Sequence, residues 1–166
     1  MSKIIVCGLV AAPQQMSLHG ATSVISILGP ETPHPVYAPY RHLALTFNDI
    51  NAPAEGMVSP ADRDAERLVA FIRSWDKTAP MVIHCWAGIS RSTASAFAAL
   101  CILRDGESEM ALASELRRAS PSATPNRLIT SLVDRHLGRN GRMVKAVESI
   151  GRGADAFEGK PFELYV

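Results

Sequence analysis

The run His84-Cys85-Trp86-Ala87-Gly88-Ile89-Ser90-Arg91-Ser92 gathers the residues of this chain best suited to chemistry. Cys85 and Arg91 stand six positions apart, and no charged residue lies between them. The apolar run Met81-Val82-Ile83 precedes this stretch and an alanine-rich helical pattern follows it. A phosphate monoester dianion needs donors that converge on three oxygens. Backbone N–H groups in a tight loop form such a concave anion site. A helix that starts where the loop ends adds unpaired N–H groups and its positive dipole end. Gly88, at the middle, can take backbone angles closed to other residues. Arg91 offers a planar fork that holds two oxygens at once, which lysine could not.

Cys85 is the candidate nucleophile. A thiol with an ordinary pKa of ~8.5 is mostly protonated at neutral pH and must be activated. The loop amides, the helix end and Arg91 all favour the thiolate. The Ser92 hydroxyl could donate to that sulfur and help it leave later. Trp86, Ala87, Gly88, Ile89, Ser90 and Arg91 are the candidate phosphate-binding residues. His84 reads as an orienting residue and not as a base, because neighbours on a strand point to opposite faces. A buried, inert cysteine and a surface arginine are the plain alternative. That reading fits Cys7 and Cys101, but it leaves the glycine, the Cys85–Arg91 spacing and the strand–loop–helix setting unrelated.

The pattern His-Cys-x5-Arg-Ser resembles the signature of the cysteine-based protein tyrosine phosphatases. The fuller form, here His84, Cys85, Ala87, Gly88, Ser90, Arg91 and Ser92, resembles the dual-specificity branch. The resemblance runs over roughly residues 3–137. It implies that a thiolate attacks phosphorus, an aspartic acid protonates the leaving oxygen, and water releases phosphate, with no metal or other cofactor. It also implies a phosphorylated substrate, protein or small molecule, and a loop able to hold a phosphate or sulfate ion. Relatives act on phosphopeptides, phosphoinositides, nucleotides and phosphosugars. Inositol-lipid enzymes tend to carry lysines inside the loop, and this loop has none.

The resemblance also predicts an acid on a loop after a strand. Asp49 follows the strand-like Leu43-Ala44-Leu45-Thr46-Phe47 and fits that place. The alternatives are Asp62 and Asp64, which read more simply as first-turn residues facing a helix dipole. Two other functions compete with a phosphatase. A phosphate-binding module without turnover would need neither Asp49 nor Ser92. A sulfurtransferase could also use a cysteine in an anion loop, but Arg91-Ser92 fits a phosphatase better.

The chain has 166 residues, of which 47% are apolar, and a formal charge of +1. That supports one well-packed domain over 1–166, and offers no broad basic surface for nucleic acid or membrane. Cys7, Cys85 and Cys101 show no metal spacing and no disulfide framework, which suits a reducing cytoplasm. An exposed thiolate at Cys85 is expected to be oxidation-sensitive. Cys101 lies ~13 Å along the following helix, too far to bridge to it.

Lys3–Leu9, Thr22–Leu28, Arg41–Phe47 and Met81–His84 read as strands. A short helix or turn is expected over Pro13–His19, and helices over Ala61–Trp75 (Ser59 as cap, Pro60 at its first position) and Ser92–Arg104, with Gly106 as a stop. Ser108 caps another, and Pro125-Asn126 agrees with a Pro-Asn pair that opens a helix in the resembled family. Gly138 ends that helix. Met143, Val144, Val147 and Ile150 allow one more, and Phe157, Phe162, Leu164 and Tyr165 form an apolar tail expected to pack on its own domain. Arg139, Arg142, Lys145 and Arg152 read as a solvated face. Alternating strands and helices argue for an α/β fold. The expectation is a mostly parallel central sheet, helices on both faces, and the reactive loop (core 3–137, final helix and tail 138–166) between a strand and a helix.

Overall fold

The computed structural model describes residues 1–166. Its strands are β1 (Lys3–Gly8), β2 (Ser23–Leu28), β3 (Arg41–Thr46), β4 (Met81–Cys85) and β5 (Phe162–Tyr165). They form one sheet in the order β3-β2-β4-β1-β5. The first four run parallel, and β5 pairs antiparallel with β1. The three central strands are buried at nearly every position, which is why they read as continuous Val/Ile runs and not as alternating ones. β4 lies at the centre of the sheet and ends on Cys85, opposite Gly8 of β1.

Helix α1 (Ala12–His19) covers one face over a small cluster that includes Ile5, Cys7, Met16, Val24 and Val82. Helices α2 (Asp62–Arg73), α3 (Arg91–Leu103), α4 (Glu109–Ala119), α5 (Arg127–Leu137) and α6 (Arg142–Ile150) share the larger core. Helices therefore lie on both faces, but one against five. Eleven of the thirteen residues of α3 are buried, so its alanines serve to let flanking elements approach closely. Ser108 caps α4 by accepting from the Ala111 N–H (3.1 Å), and Asn126 caps α5 by accepting from the Ile129 N–H (2.9 Å).

Several local expectations are corrected. Ser59 does not cap α2: the cap is Ala61, whose N–H donates to Asp64 Oδ2 at 2.8 Å. Gly106 does not end α3, which closes at Leu103 with Arg104 as its last turn residue. Arg139 is not on a solvated face. It is 9% exposed, and its guanidinium donates to Glu109 Oε1 (3.0 Å), to Cys101 O (2.8 Å) and to Asp105. The buried Glu109 explains the difference, since a buried carboxylate needs a paired cation. The tail packs on its own domain through Phe162 and Leu164, whereas Phe157 and Tyr165 are exposed. Its β5 residues Phe162 and Leu164 join the large core beside Met143, Ala146 and Val147 of α6. No helix is long and apolar enough to cross a membrane.

Because Leu164 is 1% exposed against β1, Leu164→Ala should cost about 3 kcal/mol of folding stability. Urea unfolding measures this, and a change below about 0.5 kcal/mol, ordinary for a surface site, would mean the tail is not part of the core.

Candidate active site

The loop from Cys85 to Arg91 is held by its carbonyls. Leu9 N–H donates to Trp86 O (3.0 Å), Gly159 N–H to Ala87 O (2.8 Å), Thr124 N–H to Ile89 O (2.9 Å) and Asn126 N–H to Ser90 O (3.2 Å). Thr93 Oγ1 adds a bond to Ile89 O at 2.6 Å. A trans peptide sets its C=O and the following N–H on opposite sides. Carbonyls tied outward at 86, 87, 89 and 90 therefore turn the N–H groups of Ala87, Gly88, Ile89's successor Ser90, and Arg91 inward. The Gly88 N–H accordingly donates to Cys85 Sγ at 3.2 Å. Gly88 has φ +73°, and a Cβ there would lie 2.7 Å from backbone atoms of Cys7 and Gly8. Only glycine fits that turn against β1.

Cys85 Sγ sits on the floor of this nest, 2% exposed. The expectation of an exposed thiol is thus corrected: the loop and α3 enclose it. Its thiol lies 3.1 Å from Ser92 Oγ, in the first turn of α3. Once sulfur is ionised, that contact runs with the hydroxyl as donor. Arg91 is buried, not turned to solvent. Its Nη1 donates to Phe47 O at 3.0 Å, whereas its buried Nε has no partner within the protein. A buried N–H of this kind is costly unless an acceptor reaches it, and an anion in the loop would supply one.

Asp49 lies beside the loop. Its Oδ1 accepts from Ser90 Oγ (2.7 Å) and from Asn126 Nδ2 (2.9 Å). Both bonds fall on Oδ1, which leaves Oδ2 free of them. A cleft of about 230 Å³ opens next to Asp49 and Ser90, with Asn51, Thr124, Arg152 and Asp155 in its walls. The two alternative acids lie elsewhere. Asp64 is spent on the Ala61 cap (2.8 Å), and Asp62 pairs with Arg135 at 2.7 Å. The Pro125-Asn126 pair signals a helix opening, yet the Asn126 amide also holds Asp49.

His84 faces away from Cys85 into the smaller side of the sheet, fully buried. Its Nδ1 donates to Cys85 O at 3.2 Å, and its Nε2 lies 2.7 Å from Ser26 Oγ and 3.0 Å from Tyr37 Oη. Ser26 Oγ also reaches His42 Nε2 at 2.8 Å. Burial pushes the His84 imidazole down to about 4 and the Tyr37 phenol up to about 12, so both are neutral near pH 7. Ser26 and Tyr37 escaped sequence reading, although a serine inside an otherwise apolar buried strand was a visible anomaly.

Trp86, a candidate phosphate-binding residue, turns its side chain toward solvent. It is 46% exposed, and its only aromatic partner is Phe157 (centroids 5.5 Å apart, planes at 85°). Cys7 and Cys101 are buried free thiols, both pushed up to about 12, chiefly by burial.

No family model and no curated protein matches the sequence. Solved structures do match the fold. DUSP15 superposes with a TM-score of 0.65 at 19% identity, with 89% of each chain covered. Human DUSP28 gives 0.65 at 20% identity, covering 82% of this chain and 89% of that one. The human tyrosine phosphatase-like serine/threonine/tyrosine-interacting protein gives 0.63 at 19% identity, covering 82% and 92%. The chain has the fold of the dual-specificity phosphatases.

The His84 shift carries a pH dependence. Its pKa is about 4 in the folded protein against 6.5 ordinarily, so the unfolded chain takes up a proton that the folded one refuses. The associated stability is complete above pH ~6.5 and falls as pH drops toward 4, by about 3 kcal/mol in all. Urea unfolding from pH 7 to pH 4 should show His84→Gln losing less stability than the parent. Parallel losses would mean that the imidazole is not held neutral.

Proposed function

We propose that this chain hydrolyses phosphate monoesters through a cysteinyl-phosphate intermediate, in the manner of a protein tyrosine or dual-specificity phosphatase. The observation that carries the reading is the loop itself: four of its carbonyls are tied outward, the Gly88 N–H donates to the Cys85 sulfur, and Arg91 has a buried, unpartnered Nε. The substrate is a phosphorylated protein or small molecule, and its phosphoryl oxygens are held by the amides of residues 86–91 and by Arg91. The whole chain, 1–166, acts as one domain, and three free cysteines suit a reducing compartment such as the cytoplasm.

In the first step the Cys85 thiolate attacks phosphorus and the bond from phosphorus to the ester oxygen breaks. Protonated Asp49 gives its proton to the departing alkoxide or phenoxide. Charge that builds on the phosphoryl oxygens meets donors already in place, so little reorganisation is needed as it forms. In the second step Asp49, now a carboxylate, takes a proton from water. That water attacks phosphorus, the S–P bond breaks, and Cys85 leaves as a thiolate that accepts from Ser92. Phosphate is released and Asp49 is again protonated.

A module that binds phosphorylated partners without turnover is the competing reading, since a phosphatase-like interacting protein shares the fold. Binding alone requires neither the Ser92 hydroxyl beside Sγ nor a carboxyl tied to the loop. Both are present, which favours turnover.

Cys85→Ser should abolish release of phenol from an aryl phosphate while inorganic phosphate still binds in calorimetry. Asp49→Asn should slow an alkyl phosphate at least ~100-fold, and p-nitrophenyl phosphate far less, because its leaving group needs no proton. Full activity in Cys85→Ser, or equal effects of Asp49→Asn on both esters, would remove the assigned roles. Absence of any hydrolysis by the unsubstituted chain, with phosphate bound, would promote the binding module.

A further inference from the structure

The segment from Gly151 to Pro161, between α6 and β5, runs around the outside of the loop as a strap, and nothing in the proposed chemistry uses it. Both of its ends are fixed. At the first, the Arg117 guanidinium of α4 donates to Ile150 O (2.6 Å) and Gly151 O (2.9 Å), and also to Ala123 O (2.7 Å). At the last, Phe162 pairs with Val6 where β5 lies antiparallel to β1. Between them Gly153 N–H donates to Thr124 Oγ1 at 3.0 Å and Ala154 N–H to Pro121 O at 2.9 Å. A Cβ on Gly153 would lie 2.6 Å from Ser122 C, so backbone meets backbone there. Residues 154–158 are exposed, and Gly159 is buried against the loop.

Gly159 touches the loop twice, on successive carbonyls. Its N–H donates to Ala87 O at 2.8 Å. A Cβ on it would lie 2.8 Å from Gly88 O and 3.4 Å from Gly88 C. Gly88 O accepts no hydrogen bond from the protein, unlike the carbonyls at 86, 87, 89 and 90, so packing alone places it. The other side of Gly88 is closed as well, since a Cβ there would lie 2.7 Å from Cys7 C and Gly8 N. Gly88 is thus gripped between two pieces of backbone, the end of β1 and the strap. Phe162 follows Gly159 by three positions, so both jaws hang from one hydrogen-bonded strand pair, β1 and β5. The trans peptide gives the grip a consequence. Ala87 O faces the strap, so the Gly88 N–H points away from it and meets Cys85 Sγ at 3.2 Å. Gly88 O faces the same residue, so the Ile89 N–H points away from the strap too.

We infer that Gly159 is a positioning residue for the anion loop: it sets the Gly88 and Ile89 amides toward a bound phosphate, and docking of the strap and binding of the anion support one another. This role rests on the reading above in one respect, that the loop holds a phosphoryl group. The support is mutual by linkage, because an anion that binds only the gripped loop must favour the docked strap in return. The need for glycine at 159 is steric. Its φ lies outside the left-handed region, so alanine is allowed by the backbone, and the methyl group meets the Gly88 peptide. A methyl there pushes on the one loop carbonyl that no hydrogen bond holds, and the Ile89 N–H turns with it.

Calorimetry with inorganic phosphate reads this role without turnover. Gly159→Ala should bind phosphate at least about tenfold more weakly than the parent, the effect of losing one hydrogen bond to a charged group. Leu112→Ala opens the core at α4, where Leu112 is fully buried. It should bind phosphate within about twofold of the parent at a temperature where both are folded, as a distant cavity does. In amide spectra, phosphate should move the Gly88 and Ile89 resonances of the parent, and Gly159→Ala should lose the Ile89 response. An ester in place of the amide between Glu158 and Gly159, introduced by chemical ligation, removes the N–H and adds no methyl group. It should weaken phosphate about fivefold, and it decides the matter if Gly159→Ala does not fold. Parent affinity in either variant overturns the inference, as does a parallel loss in Gly159→Ala and Leu112→Ala. If the parent hydrolyses no ester but binds phosphate with this pattern of losses, the positioning role stands and turnover falls. If the parent hydrolyses esters and Gly159→Ala matches it in affinity and rate, the positioning role alone falls. A parent that binds no phosphate removes both.

Discussion

The outward anchoring of four loop carbonyls is the constraint on which the site depends. Left to itself, a short loop would turn polar groups either way. Here Leu9 at the end of β1, Thr124 and Asn126 before α5, and Gly159 after α6 each take one carbonyl. The N–H groups are thereby committed to one side, the side on which the Gly88 N–H meets the Cys85 sulfur. These anchors come from three separate parts of the chain. The nest therefore exists only when the sheet, α5 and the final segment have all assembled, and the same bonds that complete the fold complete the anion site.

The side chains around the nest follow one rule: each is restrained through one atom and left free at another. Arg91 spends Nη1 on Phe47 O and keeps Nε without a protein partner. Asp49 spends Oδ1 on Ser90 and Asn126 and keeps Oδ2. Such restraint fixes orientation before a substrate arrives, which lowers the entropy cost of bringing reacting groups together. Ser90 joins the two halves, since its carbonyl is held by Asn126 and its hydroxyl holds Asp49. A shift of the candidate acid is therefore coupled directly to the loop.

What could be read from the sequence is what local pattern determines. The central strands are legible because burial on both faces leaves unbroken apolar runs, and the Cys85–Arg91 spacing is legible because the loop's chemistry is contiguous. Asp49 was within reach because it follows a strand. Arg139 was not, because its burial is decided by Glu109 and Asp105, thirty and thirty-four positions away. The reason for Gly153 and Gly159 appears only when the backbone they approach is in view.

Ser26 shows how a buried polar residue can be required by a distant nucleophile. His84 is neutral and has one N–H. Cys85 O can only accept, so Nδ1 must carry that proton and Nε2 must accept. The donors within reach of Nε2 are the hydroxyls of Ser26 and Tyr37, and Tyr37 keeps its proton far above neutral pH. When Ser26 donates to His84, its oxygen is left to accept from the His42 Nε2–H. The polarity of the whole row is then fixed from the half-buried His42 to the carbonyl of the nucleophile. Alanine at position 26 would keep the strand apolar, but it would remove the hydroxyl bonded to His42 Nε2 and leave Tyr37 as the one donor to His84 Nε2. A serine in the middle of an apolar strand is thus explained by the residue that hangs the Cys85 backbone in place.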